Sequence, residues 1–196
     1  MKKIILFILA IGSIEATEIE IRAAYFAPQD DRMRDIYSNG FTEYEVEVST
    51  KLDCLSPCAP SFDAFINFAT YQKEGTSTCT LQKDHTTVRN SALNVGIKRY
   101  LDILCLDFHP YLGLGVGVAN VRFHDKSHHV KEHINEWGGA LLLKSGIKYN
   151  IMCNFFADLF LDYSYQWFSF HKRHCAEVHD VNPGGVMVGL GAGFEF

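Results

Sequence analysis

Ten charged residues stand inside otherwise apolar segments, each spaced so that it shares a strand face with small or polar neighbours: Glu20, Arg22, Glu45, Glu47, Lys98, Lys144, Lys148, Asp158, Asp162 and Glu195. Six acids against four bases, collected on one side of a set of strands, suit a network of salt bridges. The six cysteines, Cys54, Cys58, Cys79, Cys105, Cys153 and Cys175, offer a second chemistry, because an even number in an exported chain favours disulfides. Cys54 and Cys58 are spaced to suit a metal, but no matching second pair follows, and no metal is expected. Histidines offer a third. His85, His124, His128, His129, His133, His171, His174 and His179 cluster in a few polar stretches, where imidazoles can bind zinc or respond to acid; solvated loop residues are the preferred reading. Asp125, Glu132 and Asp180 lie near them, yet no Ser/His/Asp arrangement can be assigned across such stretches. No catalytic residue and no cofactor are expected.

The elements that must position these side chains are strands. Successive strand side chains point to opposite sides, and eight segments alternate with that period. Strand one covers Glu18–Ala27, with Ile19, Ile21, Ala23 and Tyr25 opposing Glu20, Arg22 and Ala24. Strand two is near Glu43–Leu52, strand three Phe62–Tyr71, strand four Asn90–Leu101, strand five Phe108–Phe123 and strand six Gly139–Tyr149. Strand seven, Phe155–Phe168, sets Phe155, Ala157, Leu159, Leu161, Tyr163, Tyr165 and Trp167 against Phe156, Asp158, Phe160, Asp162, Ser164 and Gln166. Strand eight, Gly185–Phe196, carries Val186, Val188, Leu190, Ala192, Phe194 and Phe196 on one face and glycines with Glu195 on the other.

An apolar face about ten residues long, backed by glycine and charge, is what a lipid-facing barrel strand requires. Polar links near Pro28–Thr42, Gln72–Arg89, His124–Trp137 and His171–Gly184 are long, whereas those near Asp53–Pro60, Asp102–Asp107 and Asn150–Asn154 are short. The strict alternation of long and short matches a barrel with short periplasmic turns and long external loops. Register is defended energetically. A one-residue slip of strand six would turn Lys144 and Lys148 toward lipid, at about 2–4 kcal/mol each near the midplane. The interior of an eight-stranded barrel is only wide enough for side chains to fill, so a wide pore is not expected. Tyr163, Tyr165 and Trp167 fall at the outer rim, and Phe108, Tyr149, Phe194 and Phe196 at the periplasmic one.

The amino terminus supplies an address. Lys2 and Lys3 precede the apolar run Ile4–Ile11 and then small residues, the pattern of a secretory signal peptide, too short to span a bilayer. Cleavage is expected after Ala16, leaving a single barrel domain over 17–196. No later segment approaches 18 uninterrupted apolar residues, so a bilayer is crossed by strands if at all. A net charge of −5 gives no reason to expect nucleic acid as a partner.

From the signal peptide to Phe196, the chain resembles the small eight-stranded outer-membrane barrels of the OmpA, OmpX and OmpW type. The stretch Ala24-Tyr-Phe-Ala-Pro-Gln-Asp-Asp-Arg-Met-Arg-Asp-Ile-Tyr-Ser-Asn-Gly40, with Tyr44-Glu-Val-Glu47, is similar to the first hairpin of barrel proteins from Chlamydia-like bacteria. The resemblance implies an all-β, antiparallel, up-and-down transmembrane barrel in a bacterial outer membrane. It implies that Phe196, Phe194 and Leu190 form the terminal signal read by the barrel-assembly machinery. It also implies disulfide links among envelope proteins, with Cys54, Cys58, Cys105 and Cys153 on periplasmic turns and Cys79 and Cys175 on external loops; Cys79 would pair with Cys175 if their loops meet. The expected work is structural and surface-exposed, toward outer-membrane lipid, envelope partners or a host surface. The alternatives are a narrow channel or porin-like passage, an outer-membrane lipid-modifying enzyme, and a secreted lipid-binding barrel with an apolar lumen.

Overall fold

The computed structural model describes residues 18–52, 62–79, 82–101, 108–126, 133–152, 154–168 and 182–196. Eight antiparallel strands pair in chain order and close through β1 against β8. They are β1 (Glu18–Pro28), β2 (Phe41–Leu52), β3 (Phe62–Cys79), β4 (Gln82–Tyr100), β5 (Phe108–Lys126), β6 (His133–Met152), β7 (Phe155–Phe168) and β8 (Gly185–Glu195). A short helix, α1 (Asp31–Tyr37), lies between β1 and β2. Closure leaves no sheet edge around the barrel proper, where each strand pairs with both neighbours; beyond Thr70 in β3 and before Gly138 in β6 the strands pair on one side only.

The period-two pattern sets the polarity of the wall. Along β1 the buried and exposed residues alternate almost without interruption, with Glu18, Glu20, Arg22, Ala24 and Phe26 inside. β7 alternates throughout its length. Large apolar side chains face outward: Ile21, Leu190, Leu112, Val116, Leu161 and Trp137 are each more than half exposed. In β8 the glycines give room to long side chains from the neighbouring strands β1 and β7. A Cβ on Gly191 would stand 2.0 Å from the Glu20 carboxylate, and one on Gly193 would meet the Phe156 ring at 2.2 Å.

The sequence places long polar links over Gln72–Arg89 and His124–Trp137, but most of these residues continue the strands. Gln72 pairs with Arg89 and the ladder runs on to Cys79 opposite Gln82; His124 pairs with His133. The external excursions are long, yet they are built as paired protrusions. The run Gln72–Cys79 has no apolar residue at alternate positions in its sequence, so its pattern does not announce a strand, although its backbone is extended. As a result β3 to β6 have 18, 19, 19 and 20 residues, while β1, β2, β7 and β8 have 11, 12, 14 and 11. A difference of eight residues is roughly 26 Å of extra strand. One side of the barrel therefore rises as a four-stranded wall.

The link Pro28–Thr42 holds the helix, which the sequence pattern does not announce. Asp30 caps it, its carboxylate accepting from the Arg32 N–H at 2.9 Å, as an N-cap should. Met33 and Tyr37 are buried against the inner side of the wall. The helix backbone rests on Gly75 of β3, where a Cβ would stand 2.3 Å from the Ile36 carbonyl oxygen. Ser38 ends the helix at a φ of 90°, and its N–H donates to the Arg34 carbonyl at 3.0 Å.

Candidate functional site: the barrel interior

Inward-facing positions of all eight strands meet in the barrel interior, which divides into two layers. The half nearer the Glu18 and Glu195 ends is ionic. Arg22 is fully buried and sits at its centre. Its Nη1 donates to Glu45 Oε2 at 3.0 Å and to Asp162 Oδ2 at 2.8 Å. Nη2 donates to the Tyr111 hydroxyl at 3.1 Å and to Asp158 Oδ2 at 3.3 Å. Nε lies 3.3 Å from Glu20 Oε1, and the guanidinium carbon stands 3.5 Å over the Phe160 ring. Since β1 and β5 are opposite staves, the Arg22–Tyr111 bond crosses the lumen. The planar five-donor fork of arginine is what allows one cation to serve so many acceptors.

Three lysines extend this network. Lys144 Nζ reaches Glu47 Oε2 at 2.7 Å and Asp162 Oδ2 at 3.3 Å, again bridging opposite staves. Lys98 Nζ lies 3.2 Å from both Glu18 Oε2 and Glu47 Oε1. Lys148 pairs with Glu18 and reaches Glu195 Oε2 at 3.4 Å. Glu195 sits at the rim, where it also accepts from the more exposed Lys51 at 2.7 Å. The structure thus brings together Glu20, Arg22, Glu45, Glu47, Lys98, Lys144, Lys148, Asp158 and Asp162, with Glu195 at the edge.

Sequence reasoning omitted Glu18, Glu43 and Asp63, which are also buried. Each shares the inward parity of its strand, so the signal was present: Glu18 is two residues before Glu20, Glu43 two before Glu45, and Asp63 two before Phe65. Among the described residues the buried acids therefore number eight (Glu18, Glu20, Glu43, Glu45, Glu47, Asp63, Asp158, Asp162) against four bases. The acid excess is larger than the six-to-four count read from the sequence. Tyr111 and Asn67 were missed as well. The Tyr111 hydroxyl donates to Asp158 at 2.7 Å, and Asn67 Nδ2 donates to Glu45 at 2.7 Å.

The other half of the interior is apolar. Phe26, Phe41 and Tyr71 form a three-ring cluster with centroids 4.8–5.2 Å apart. Met33 and Tyr37 of α1 join it with Val88, Val121, Phe168 and Met187 in one buried cluster. A few polar contacts fix it: the Tyr37 and Thr86 hydroxyls are 3.0 Å apart, Tyr71 Oη donates to the Pro183 carbonyl at 2.9 Å, and Asn90 Nδ2 donates to Gln166 at 3.0 Å. The expectation from sequence is that long charged side chains occupy much of the interior. The outer half is instead an aromatic seal, because the inward positions there are Phe26, Phe41, Val88 and Val121.

The terminal residues Phe194 and Phe196 stack edge to face at 5.0 Å, Phe194 also meets Phe155 at 5.0 Å, and Leu190 is outward and exposed. Phe108 and Tyr149 pair at 4.8 Å on the same rim. At the outer rim Tyr165 and Trp167 face outward with ring centroids 6.1 Å apart, and the Trp167 ring covers Gly139. Of the cysteines, Cys79 ends β3; Cys54, Cys58, Cys105, Cys153 and Cys175 lie outside the described residues, as does the segment 1–16 expected to be a signal peptide.

No family model matches the sequence, and a search of curated proteins finds no match. Solved structures do match. The chain is similar to the Neisserial surface protein A at 11% identity, over 91% of this chain and 96% of that one, with a TM-score of 0.58. It is also similar to Ail, the attachment invasion locus protein of Yersinia pestis, at 17% identity over 92% and 100% of the two chains, with a TM-score of 0.51. The likeness is one of fold: a closed eight-stranded antiparallel barrel.

Proposed function

We propose that this chain is an outer-membrane barrel of a Gram-negative-type bacterium, with a structural and surface-presenting role and no wide pore. The observation that carries the reading is the inverted polarity of the wall. Arg22, Lys98, Lys144 and Lys148 are buried with eight acids, while Ile21, Leu112, Leu114, Val116, Leu159, Leu161 and Leu190 face outward and exposed. A secreted lipid-binding barrel needs the reverse: an apolar lumen and a wet exterior. Monomeric soluble proteins rarely expose an apolar patch beyond a few hundred Å², whereas lipid requires one. The shortest strands, of 11 residues, are long enough to span a hydrocarbon core at the usual tilt.

The two interior layers support the absence of a wide pore. Arg22–Tyr111 and Lys144–Glu47 cross the lumen on the periplasmic side, and the Phe26–Phe41–Tyr71 cluster with α1 fills it on the outer side. In this reading Phe196, Phe194 and Leu190 serve recognition by the assembly machinery, and the cysteines serve cross-linking within the envelope. The raised wall of β3 to β6 is the surface presented outward to envelope or host partners. The likeness in fold to the Neisserial surface protein A is in keeping with that reading and supplies no ligand.

The test is the behaviour of the refolded mature chain. It is expected to require detergent for solubility and to migrate differently on a denaturing gel before and after boiling. A chain that is monodisperse in detergent-free buffer would overturn the reading. Comparing non-reducing and reducing gels of native envelopes tests the cysteines: only monomer without reductant would remove cross-linking.

A further inference from the structure

Just beyond the apolar band, on the outward face of the raised wall, two arginines stand directly opposite one another. Arg89 of β4 pairs with Arg122 of β5. Strand parity turns both outward, and both are exposed. The rows beneath show where they sit. Ile97 is opposite Leu114, Val95 opposite Val116 and Leu93 opposite Val118, all facing outward. The next outward row is Thr70, Ser91, Asn120 and Trp137, with Trp137 66% exposed. Arg89 and Arg122 form the row after that. A band of aliphatic side chains, then a hydroxyl and indole row, then cations, is the sequence met when passing from hydrocarbon through the interface to the headgroups.

Like charges directly opposite on adjacent strands are destabilising, so the pair calls for something to balance it. Among the described residues neither arginine stands in a salt bridge. Asn120 instead orients one of them, its Oδ1 accepting from Arg122 Nε at 3.0 Å, while its amide donates to Asn135 at 2.8 Å and to the Glu136 carbonyl at 3.1 Å. This bond occupies Nε and leaves the two Nη groups of Arg122 to meet an anion beside Arg89. Two guanidinium forks side by side match the several oxygens of one phosphate group.

We propose that Arg89 and Arg122 together bind the phosphate of an outer-leaflet lipid headgroup, with Trp137 beneath it and the acyl chains along the Val95–Val116 and Ile97–Leu114 rows. This inference rests on the membrane reading above. It makes the pair a lipid-docking site on the barrel's flank, separate from the interior network.

The probe is dioleoyl phosphatidic acid titrated into the detergent-purified barrel and followed by native mass spectrometry. The wild type is expected to retain one lipid per barrel in preference to phosphatidylcholine. With each cation near an anionic lipid surface contributing about fivefold, the Arg89→Gln/Arg122→Gln variant should bind roughly thirtyfold more weakly. The Arg32→Gln/Arg34→Gln variant, with the same charge loss on α1, should bind as the wild type does. Equal loss in both double variants would reduce the effect to net charge and overturn the site. Inorganic phosphate at millimolar concentration is expected not to displace the lipid; displacement would make this a free-anion site.

A second readout uses the repulsion itself. Arg89→Gln should raise the melting temperature by about 1–2 °C in neutral detergent, where only repulsion is relieved. It should lower it in bilayers containing phosphatidic acid. A shift of the same sign in both media would overturn the proposal. If the barrel proves freely soluble, the membrane reading itself has failed; if it is heat-modifiable yet lipid binding ignores Arg89 and Arg122, only the docking site has failed.

Discussion

The two halves of the lumen fill the same cross-section by opposite chemistry. Toward Glu18 and Glu195, Arg22 and three lysines pair with six of the eight buried acids through bonds that run from stave to stave. Toward the outer end, Phe26, Phe41 and Tyr71 pack against a helix with only a few hydrogen bonds. Buried ion pairs gain little over matched apolar packing but cost heavily when one partner is removed. Apolar packing degrades in proportion to the volume deleted. The ionic layer should therefore be all-or-none and the aromatic layer graded.

Substitutions can break that contrast or sharpen it. The largest effect is expected for Arg22→Met, which leaves Glu20, Glu45, Asp158 and Asp162 without their shared cation; a loss of about 3–5 kcal/mol should appear in reversible denaturant unfolding in detergent. A loss below that of a single aromatic truncation would refute the contrast. Phe26→Ala, which opens a cavity beside Phe41 and Tyr71, should cost about 3 kcal/mol while leaving the barrel folded and heat-modifiable.

Gly75→Val should come next. The added side chain meets the Ile36 carbonyl, so α1 must lift from the wall at about 1–3 kcal/mol. Trypsin should then cut after Arg32 and Arg34 faster than in the wild type, with the ionic layer undisturbed. Tyr71→Phe is the smallest, about 1 kcal/mol for the lost bond to the Pro183 carbonyl, with the ring cluster retained.

Alternation made much of this legible. Where lipid wets one face and the lumen the other, each strand must repeat every two residues, and β1, β7 and β8 appear in the sequence almost to their ends. Parity likewise placed Arg22, Lys144 and Asp162 on the inner side, and would have placed Glu18, Glu43 and Asp63 there had it been followed to the strand ends. The rest was hidden for physical reasons. Beyond the apolar band the sequence of β3 and β4 is polar at odd and even positions alike, so Gln72–Cys79 loses its period while keeping its strand. Helix α1 is only seven residues long and depends on tertiary contacts at Gly75 and Thr86 that no local pattern encodes. Which bases meet which acids was also beyond the sequence, because Arg22 finds Asp158 and Tyr111 only once the barrel is closed.

The central claim is that lipid touches the apolar outward face and is kept from the charged inward one. Paramagnetic broadening by a lipid spin-labelled near the chain end, measured by NMR on the barrel in bilayer nanodiscs, tests it residue by residue. The account predicts strong broadening of the side chains of Ile21, Leu114, Val116, Val188 and Leu190, with Glu20, Glu47, Lys144 and Asp162 beside them on the same strands spared. Equal broadening of both sets, or none at the outward positions, would contradict it.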